Sequence, residues 1–245
     1  MPHKPNWSQS KKLILRSDLW ARADAYHNSF LLKSDPVLDA TQHRTRELGK
    51  NAATAAVSPA QGKFLHLLLR GINAKRVLEV GSLGGYSAIW MARALPDDGE
   101  LVALEISALN AQLRATRTLN PSVIEENVAA AGLSDKIRVI LGPAHPSMKR
   151  LPSDEPFDLA FIDADKPNNT NYFVEAKRLV RSGGIIIVDN TGRKGYPADP
   201  ARTGAGVEGV RELLRYIRDD DEVEATTIHT VGEKGLDGFT FAYRK

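Results

Sequence analysis

Residues 76–106 read RVLEVGSLGGYSAIWMARALPDDGELVALEI. An apolar run, Arg76–Val80, gives way to a glycine-rich turn, a helical stretch follows, and a second apolar run, Leu101–Ile106, closes the unit. Runs that are apolar at nearly every position are the pattern of strands buried on both faces of a parallel sheet, and the helix between them supplies the right-handed crossover. The same alternation continues downstream, where Ile137–Leu141, Phe157–Asp163 and Ile185–Asp189 are strand candidates separated by helical stretches. Beyond residue 220 the rule changes. Val223–Thr230 and Gly238–Tyr243 are joined by a glycine-rich turn too short for a helix, which predicts an antiparallel hairpin. Alternating βα units closed by a hairpin predict an α/β architecture: an open, doubly wound sheet with helices on both faces.

Upstream of residue 76 the periodicity is helical. Leu15, Leu19, Tyr26 and Phe30 mark one helix, Asp35-Pro36 opens a second with Val37, Leu38 and Leu48, and Ser58-Pro59 opens a third with Phe64, Leu65 and Leu67–Leu69, stopped at Gly71. We read residues 1–57 as a helical layer packed on the same domain as residues 58–245. A chain of 245 residues fits one such domain. The absence of cysteine excludes disulfides, thiolate metal sites and cysteine nucleophiles. No apolar run reaches the roughly 18 residues of a membrane span or resembles a signal-peptide core, which predicts a cytoplasmic protein without a membrane partner. The basic, acid-free stretch 1–17 leaves mitochondrial targeting as the alternative. Net charge is +3, and the basic excess lies within residues 1–50, which hold nine Lys and Arg against five Asp and Glu. The rest is near neutral, so no nucleic-acid partner is expected.

Chemistry concentrates at the carboxyl ends of the predicted strands, where doubly wound sheets bind ligands. The turn after the first strand is not the dinucleotide fingerprint, because Leu83 stands where its second glycine belongs. A nicotinamide-dependent oxidoreductase is therefore kept only as the rival reading. Glu105, 24 residues after Gly81, ends the second strand, where a carboxylate can accept hydrogen bonds from ribose hydroxyls. Glu79 interrupts an apolar strand, and a buried carboxylate is costly unless a cation answers it. S-adenosylmethionine (SAM), with its ammonium and sulfonium, is such a ligand. At the next strand tips, Asp163, Asp189 and Asn190 offer three oxygen donors with no His or Cys beside them, a set suited to Mg²⁺, Mn²⁺ or Ca²⁺ rather than zinc.

With these residues in place, the chain resembles a known family. The segments SPAQGKFL, VLEVGSLGGYS, ALPDDGELVALE, FDLAFIDADKPNNTNYF and GGIIIVDN, between Ser58 and Asn190, and the closing GEKGLDGFTFAYRK, are similar to the cation-dependent O-methyltransferases of the caffeoyl-CoA and catechol type. The resemblance covers about residues 35–245. It implies a Rossmann-like, seven-stranded sheet of order 3-2-1-4-5-7-6 with strand 7 antiparallel, a class I methyltransferase domain.

The resemblance also implies a division of labour. Glu79, Gly81, Ser82 and Ser87 would hold the methionine part of SAM, Glu105 the ribose, Ala144 the adenine and Tyr172 the methionine carboxylate. Val57 stands where many members have threonine, which leaves it backbone and apolar contacts to the cofactor. Asp163 would sit between cofactor and metal, Asp189 and Asn190 would complete the ion's ligands, and Lys166 would be the general base. The implied reaction is methyl transfer from SAM to a hydroxyl of a vicinal-diol phenol of catechol, flavonoid or hydroxycinnamoyl type, by a homodimer using Mg²⁺, with Mn²⁺ or Ca²⁺ as alternatives. Two departures stand out: an inserted stretch between Glu105 and Pro121, and no tryptophan in the segment TGRKGYPADPARTGAG after Asn190.

Overall fold

The computed structural model describes residues 17–47, 55–106 and 122–245. Its elements run α1 (Ser17–Leu31), α2 (Pro36–Arg46), α3 (Pro59–Gly71), β1 (Arg76–Val80), α4 (Tyr86–Ala92), β2 (Glu100–Glu105), α5 (Val123–Ala130), β3 (Ile137–Leu141), α6 (Ala144–Arg150), β4 (Phe157–Ile162), α7 (Asn169–Leu179), β5 (Val180–Val188), α8 (Ala205–Arg218), β6 (Val223–Gly232) and β7 (Gly235–Arg244). Leu15, Leu48, most of the basic N-terminal stretch and the insertion after Glu105 lie outside the described residues.

One sheet of seven strands runs in the order β3-β2-β1-β4-β5-β7-β6. Strands β1 to β5 pair in parallel, and β7 is antiparallel to both β5 and β6, as the resemblance implied. From β1 the chain steps outward to β3, then returns to β4 on β1's other side. Crossovers leaving β1 and β4 therefore diverge and open a crevice at their carboxyl ends.

Why these segments became strands is visible in their burial. Val77, Leu78 and Val80 of β1 are wholly enclosed, as are Leu159–Ile162 of β4. One face packs Leu65 and Leu69 of α3 and Ile89 and Met91 of α4; the other packs Met148 of α6, Phe173 and Leu179 of α7 and Leu213 of α8. Enclosing each such side chain contributes about 1.5–3 kcal/mol.

Four details depart from the sequence reading. Strand β3 is not apolar on both faces: it is the sheet's edge, so Arg138 points outward and donates to Glu100 at 2.9 Å. Strand β5 begins at Val180, ahead of Ile185, because an irregularity opposite Phe157–Leu159 absorbs residues 181–184, with Gly183 at φ +76°. Helix α3 runs through Gly71, and the left-handed residue that follows is Asn73, at φ +52°. The hairpin is longer than predicted and turns through Glu233-Lys234, with Gly232 paired to Gly235.

Helix α2 starts as Asp35-Pro36 predicts: the Asp35 carboxylate accepts from the Val37 and Leu38 amides, each at 3.1 Å. Helix α1 packs on β6, and its Asp24 accepts from the Glu233 amide at the hairpin tip at 3.1 Å. Yet Leu19, Tyr26 and Phe30, which carry the helical periodicity, point to solvent. Among the described residues no helix is long and apolar enough to cross a membrane.

Candidate active site

The register of the sheet brings the predicted chemistry together. Val80, Ile162 and Val188 end three neighbouring strands side by side; the Asp163 amide donates to Val80 (2.8 Å) and the Asp189 amide to Ile162 (2.9 Å). Gly81, at φ +88°, lets the first turn fold against β4, since a Cβ there would run into the Asp163 carbonyl. The turn then offers its Ser82 and Leu83 amides to one oxygen of Glu105, at 3.0 and 2.6 Å. Burial raises the Glu105 pKa, and these two donors oppose the rise.

Beneath the turn lies Glu79, fully enclosed. Its Oε1 accepts from the Ser87 hydroxyl at 2.5 Å, while Oε2 and the Ser82 hydroxyl have no hydrogen-bond partner. Burial pushes the Glu79 carboxyl up to about 7; the nearby Ser82 and Ser87 hydroxyls act against the rise, and the charges of Asp163 and Glu105 add to it. Above these residues is a cavity of about 710 Å³ lined by Ser82, Ser87, Glu105, Ala144, Asp163 and Tyr172. Glu79 is not on its surface but directly under the two serines that are.

Asp163 and Lys166 form an ion pair at 2.7 Å, with side chains 17% and 11% exposed. A single 3-10 turn, Lys166–Asn168, folds the lysine back over the aspartate. Asp165 accepts instead from the Tyr172 hydroxyl at 2.5 Å and from Asn168 at 2.6 Å. Burial and that carboxylate raise the Tyr172 pKa, keeping the phenol protonated. The Tyr172 hydroxyl is thus engaged with Asp165 at the rim of the cavity where the resemblance put the methionine carboxylate.

Asp189 is nearly buried; it accepts from the Gln61 amide nitrogen at 2.7 Å and from Asn190 Nδ2 at 3.2 Å. Burial, then the charge of Asp163, raise its carboxyl to about 7, and Lys166 works against them. Asn190 adopts a left-handed conformation, φ +54°. A second cavity, of about 650 Å³, lies on this side, lined by Val57, Gln61, Phe64, Asp189, Phe239 and the hairpin tip. Val57 and Asn190 border both cavities. Among the described residues no three His, Cys, Asp or Glu side chains form a metal cluster. The donor set here is two carboxylates and one amide. Those two carboxylates repel each other, and among the described residues Lys166 is the cation paired with them, so a hard divalent ion fits the charge and the donor chemistry.

Residues 29–245 match the family profile described as O-methyltransferase. The chain belongs to the O-methyltransferase family, of the caffeoyl-CoA and catechol type. The enzyme is 40% identical over 219 residues to the catechol O-methyltransferase of Mycobacterium tuberculosis, covering 89% of this chain and 93% of that one. It superposes on the O-methyltransferase of Bacillus cereus solved with SAH with a TM-score of 0.84, at 37% identity, over 94% of this chain and all of that one. A second solved relative is the O-methyltransferase of Streptomyces achromogenes involved in tomaymycin synthesis, in complex with SAM. It gives a TM-score of 0.83 at 39% identity, over 94% of this chain and 98% of its own. The nicotinamide-oxidoreductase alternative falls with this assignment.

Two contacts of the O-methyltransferase's site escape sequence reading. Gln61 sits in the SPAQGKFL motif, yet nothing local says that its amide reaches Asp189. Asn127, fully buried on α5, donates to the Gly84 carbonyl at 2.8 Å and accepts from Arg44 of α2, tying the N-terminal layer to the glycine turn. A polar residue at the helical spacing of Ile124 and Val128, on an otherwise apolar face, was the available signal.

Glu79 gives a test by pH. Its folded pKa is raised, so between about 4.5 and 7 the folded state binds more protons than the unfolded one. Stability of the ligand-free enzyme due to this group is greatest below its ordinary pKa and declines as pH rises to about 7. Glu79→Gln is expected to remove that decline, seen as a flatter Tm against pH by scanning fluorimetry and a smaller residual slope from Asp189. Parallel curves for variant and wild type would contradict it.

Proposed function

We propose that this O-methyltransferase transfers the methyl group of SAM to one hydroxyl of a catechol-like vicinal diol, with a divalent cation at Asp163, Asp189 and Asn190. The observation that carries the reading is the junction of two cavities at Val57 and Asn190, with the Asp163–Lys166 pair beside it. The 710 Å³ cavity suits the donor. The unpartnered Ser82 hydroxyl on its wall and Glu79 Oε2 beneath that wall fit an ammonium group, Glu105 the ribose and Ala144 the adenine. Gly81 allows close backbone approach. The second cavity suits the acceptor.

A bound divalent cation supplies chelation of the diol and a lower pKa for one hydroxyl. Lys166 Nζ, on the wall of the donor cavity and oriented by Asp163, would take the phenolic proton as a neutral amine, its own ammonium proton having first passed to solvent. The acceptor oxygen then attacks the sulfonium methyl in line: the O–C bond forms as the C–S bond breaks, giving the methyl ether and S-adenosylhomocysteine, with the proton left on Lys166. Val57 keeps the junction apolar and Phe64 and Phe239 do the same for the acceptor cavity beyond it; the two rings lie 5.4 Å apart, tilted by 32°. Asp24, Glu233 and Asp237 line the acceptor cavity with Lys234, a balance that favours neutral or amine-bearing catechols over polyanionic thioesters. Trp20, Tyr26, Phe30 and Leu31 of α1 form an exposed apolar face that supports a homodimer through this helix.

The test is a methyl-transfer panel of catechols, flavonoids and hydroxycinnamoyl thioesters, each with its monophenol counterpart, with Mg²⁺, Mn²⁺, Ca²⁺ or EDTA. Vicinal diols are expected to react at least ~10-fold faster than monophenols, because chelation fixes the attacking oxygen. EDTA is expected to abolish turnover and Mg²⁺ to restore it. Undiminished activity in EDTA would refute the metal, and equal rates on monophenols would refute the diol.

A further inference from the structure

We propose that Arg211, which lines neither cavity, is a positioning residue: from α8 it holds the strained loop that carries Asn190, while Gly209 of the same helix seats on the turn that carries Lys166. The inference rests on the roles given to Asn190 and Lys166 above.

After β5 the chain passes through a run of unfavourable conformations. Asn190, Arg193 and Lys194 have φ of +54°, +39° and +57°, a region that asparagine tolerates but that is costly for the arginine and the lysine. Such a path persists only where the surroundings over-determine it. At its near end it is tied to β7: the Thr191 amide donates to Gly238 O at 2.9 Å and the Arg193 amide to Asp237 Oδ1 at 2.8 Å. At its far end Arg211 closes on the loop's carbonyls. Nε donates to Pro197 O at 3.0 Å, and Nη2 donates to Asp199 O at 2.7 Å and, at 3.4 Å, to Tyr196 O. Nη1 donates to Glu208 Oε1 at 2.5 Å, which fixes the plane of the guanidinium. The side chain is 15% exposed, so its charge faces these oxygens more than water.

Two residues earlier on α8, Gly209 meets the other half of the site. A Cβ there would run into the Lys166 carbonyl oxygen and lie 2.8 Å from Pro167 Cα, and backbone cannot step aside as a flexible side chain would. Positions 209 and 211 point from different sides of the helix. Helix α8 is thus a strut that sets the distance between the Asn190 loop and the Lys166 amine.

The test compares Arg211→Gln, which keeps the bulk and loses the charged fork, with Gly209→Ala and Asn190→Ala. Mn²⁺ affinity is read from the electron paramagnetic resonance of free ion, SAH affinity by calorimetry, and kcat and KM for the catechol separately. Arg211→Gln is expected to weaken Mn²⁺ binding and raise the acceptor KM by about tenfold each, the scale of charge-assisted bonds, with SAH affinity within about twofold. Gly209→Ala is expected to lower kcat more than it raises KM and to move the pH–rate limb; Arg211→Gln keeps the proposal testable should that variant fold poorly. If Arg211→Gln leaves Mn²⁺ affinity and KM unchanged while Asn190→Ala weakens Mn²⁺, the strut is refuted and the function stands. Equal weakening of SAH and Mn²⁺ in Arg211→Gln, a general loosening, also refutes it. If Asn190→Ala itself leaves Mn²⁺ binding intact, the metal reading fails.

Discussion

Replacement of Asp189 by alanine is expected to lower methyl transfer to a catechol by about 10²–10³-fold while leaving the ligand-free protein folded and at least as stable near pH 8. The asymmetry follows from the environment of this carboxylate. Burial and the nearby Asp163 raise its pKa to about 7, so at pH 8 the folded protein carries a charge that its surroundings do not favour. Removing it relieves that cost. The opposing loss is the hydrogen bond from Gln61, at 2.7 Å, whose amide is left without this partner, worth about 1–3 kcal/mol. A residue that is held against stability and whose loss costs only activity is held for chemistry. Calorimetric Tm with and without Mg²⁺, beside initial rates, checks both halves: wild type is expected to gain Tm with Mg²⁺ and the variant to gain none. A variant that keeps wild-type turnover, or the same Mg²⁺-dependent rise, would sink the assignment.

Lys166→Met is expected to lower kcat by about 10²–10⁴-fold, the range for loss of a general base, with SAH affinity close to wild type. Lys166→Arg separates the possible roles of the amine. Arginine can keep the charge opposite Asp163, where the lysine now pairs at 2.7 Å, but it does not release its proton at any working pH. If Lys166 moves a proton, arginine leaves kcat as low as methionine does. If the lysine serves only as a fixed positive charge, arginine restores most of the rate, and the base assignment is wrong. Raising pH is expected to recover activity in both variants, because more of the acceptor then arrives ionised.

The sheet was legible because parallel strands buried on two faces write themselves as unbroken apolar runs, and Glu79, Asp163 and Asp189 stood out against that background. Strand β3 was misjudged because a run such as Ile137–Leu141 looks the same at an edge as in the middle; position in the sheet is a property of the whole topology. The early start of β5 was hidden by Gly183-Gly184, which reads as a turn and is instead an irregularity within the strand. Donor types at the site could be read, but not their partners: Gln61 and Asp189 are 128 positions apart, and no periodicity spans that separation. The adenine and base assignments, Ala144 and Lys166, came from family resemblance alone, since a buried alanine and a surface-type lysine carry no local signal. Arg211 was invisible for the same reason as Gln61: its partners are main-chain carbonyls of a loop whose sequence, rich in glycine and proline, predicts only irregularity.

The contact between Asp24 of α1 and the hairpin tip at Glu233 has an evolutionary corollary. The cavity proposed for the donor is built from β1, β2 and β4 in the middle of the chain, whereas the one proposed for the acceptor is walled by α1, α3 and the β6–β7 hairpin, early and late segments that touch only after folding. Substitutions in those flanking segments can remodel what is methylated without disturbing the machinery that delivers the methyl group. Relatives with the same central motifs should therefore diverge in acceptor repertoire first at these two peripheral pieces, and grafting both together, not either alone, is the way to exchange it.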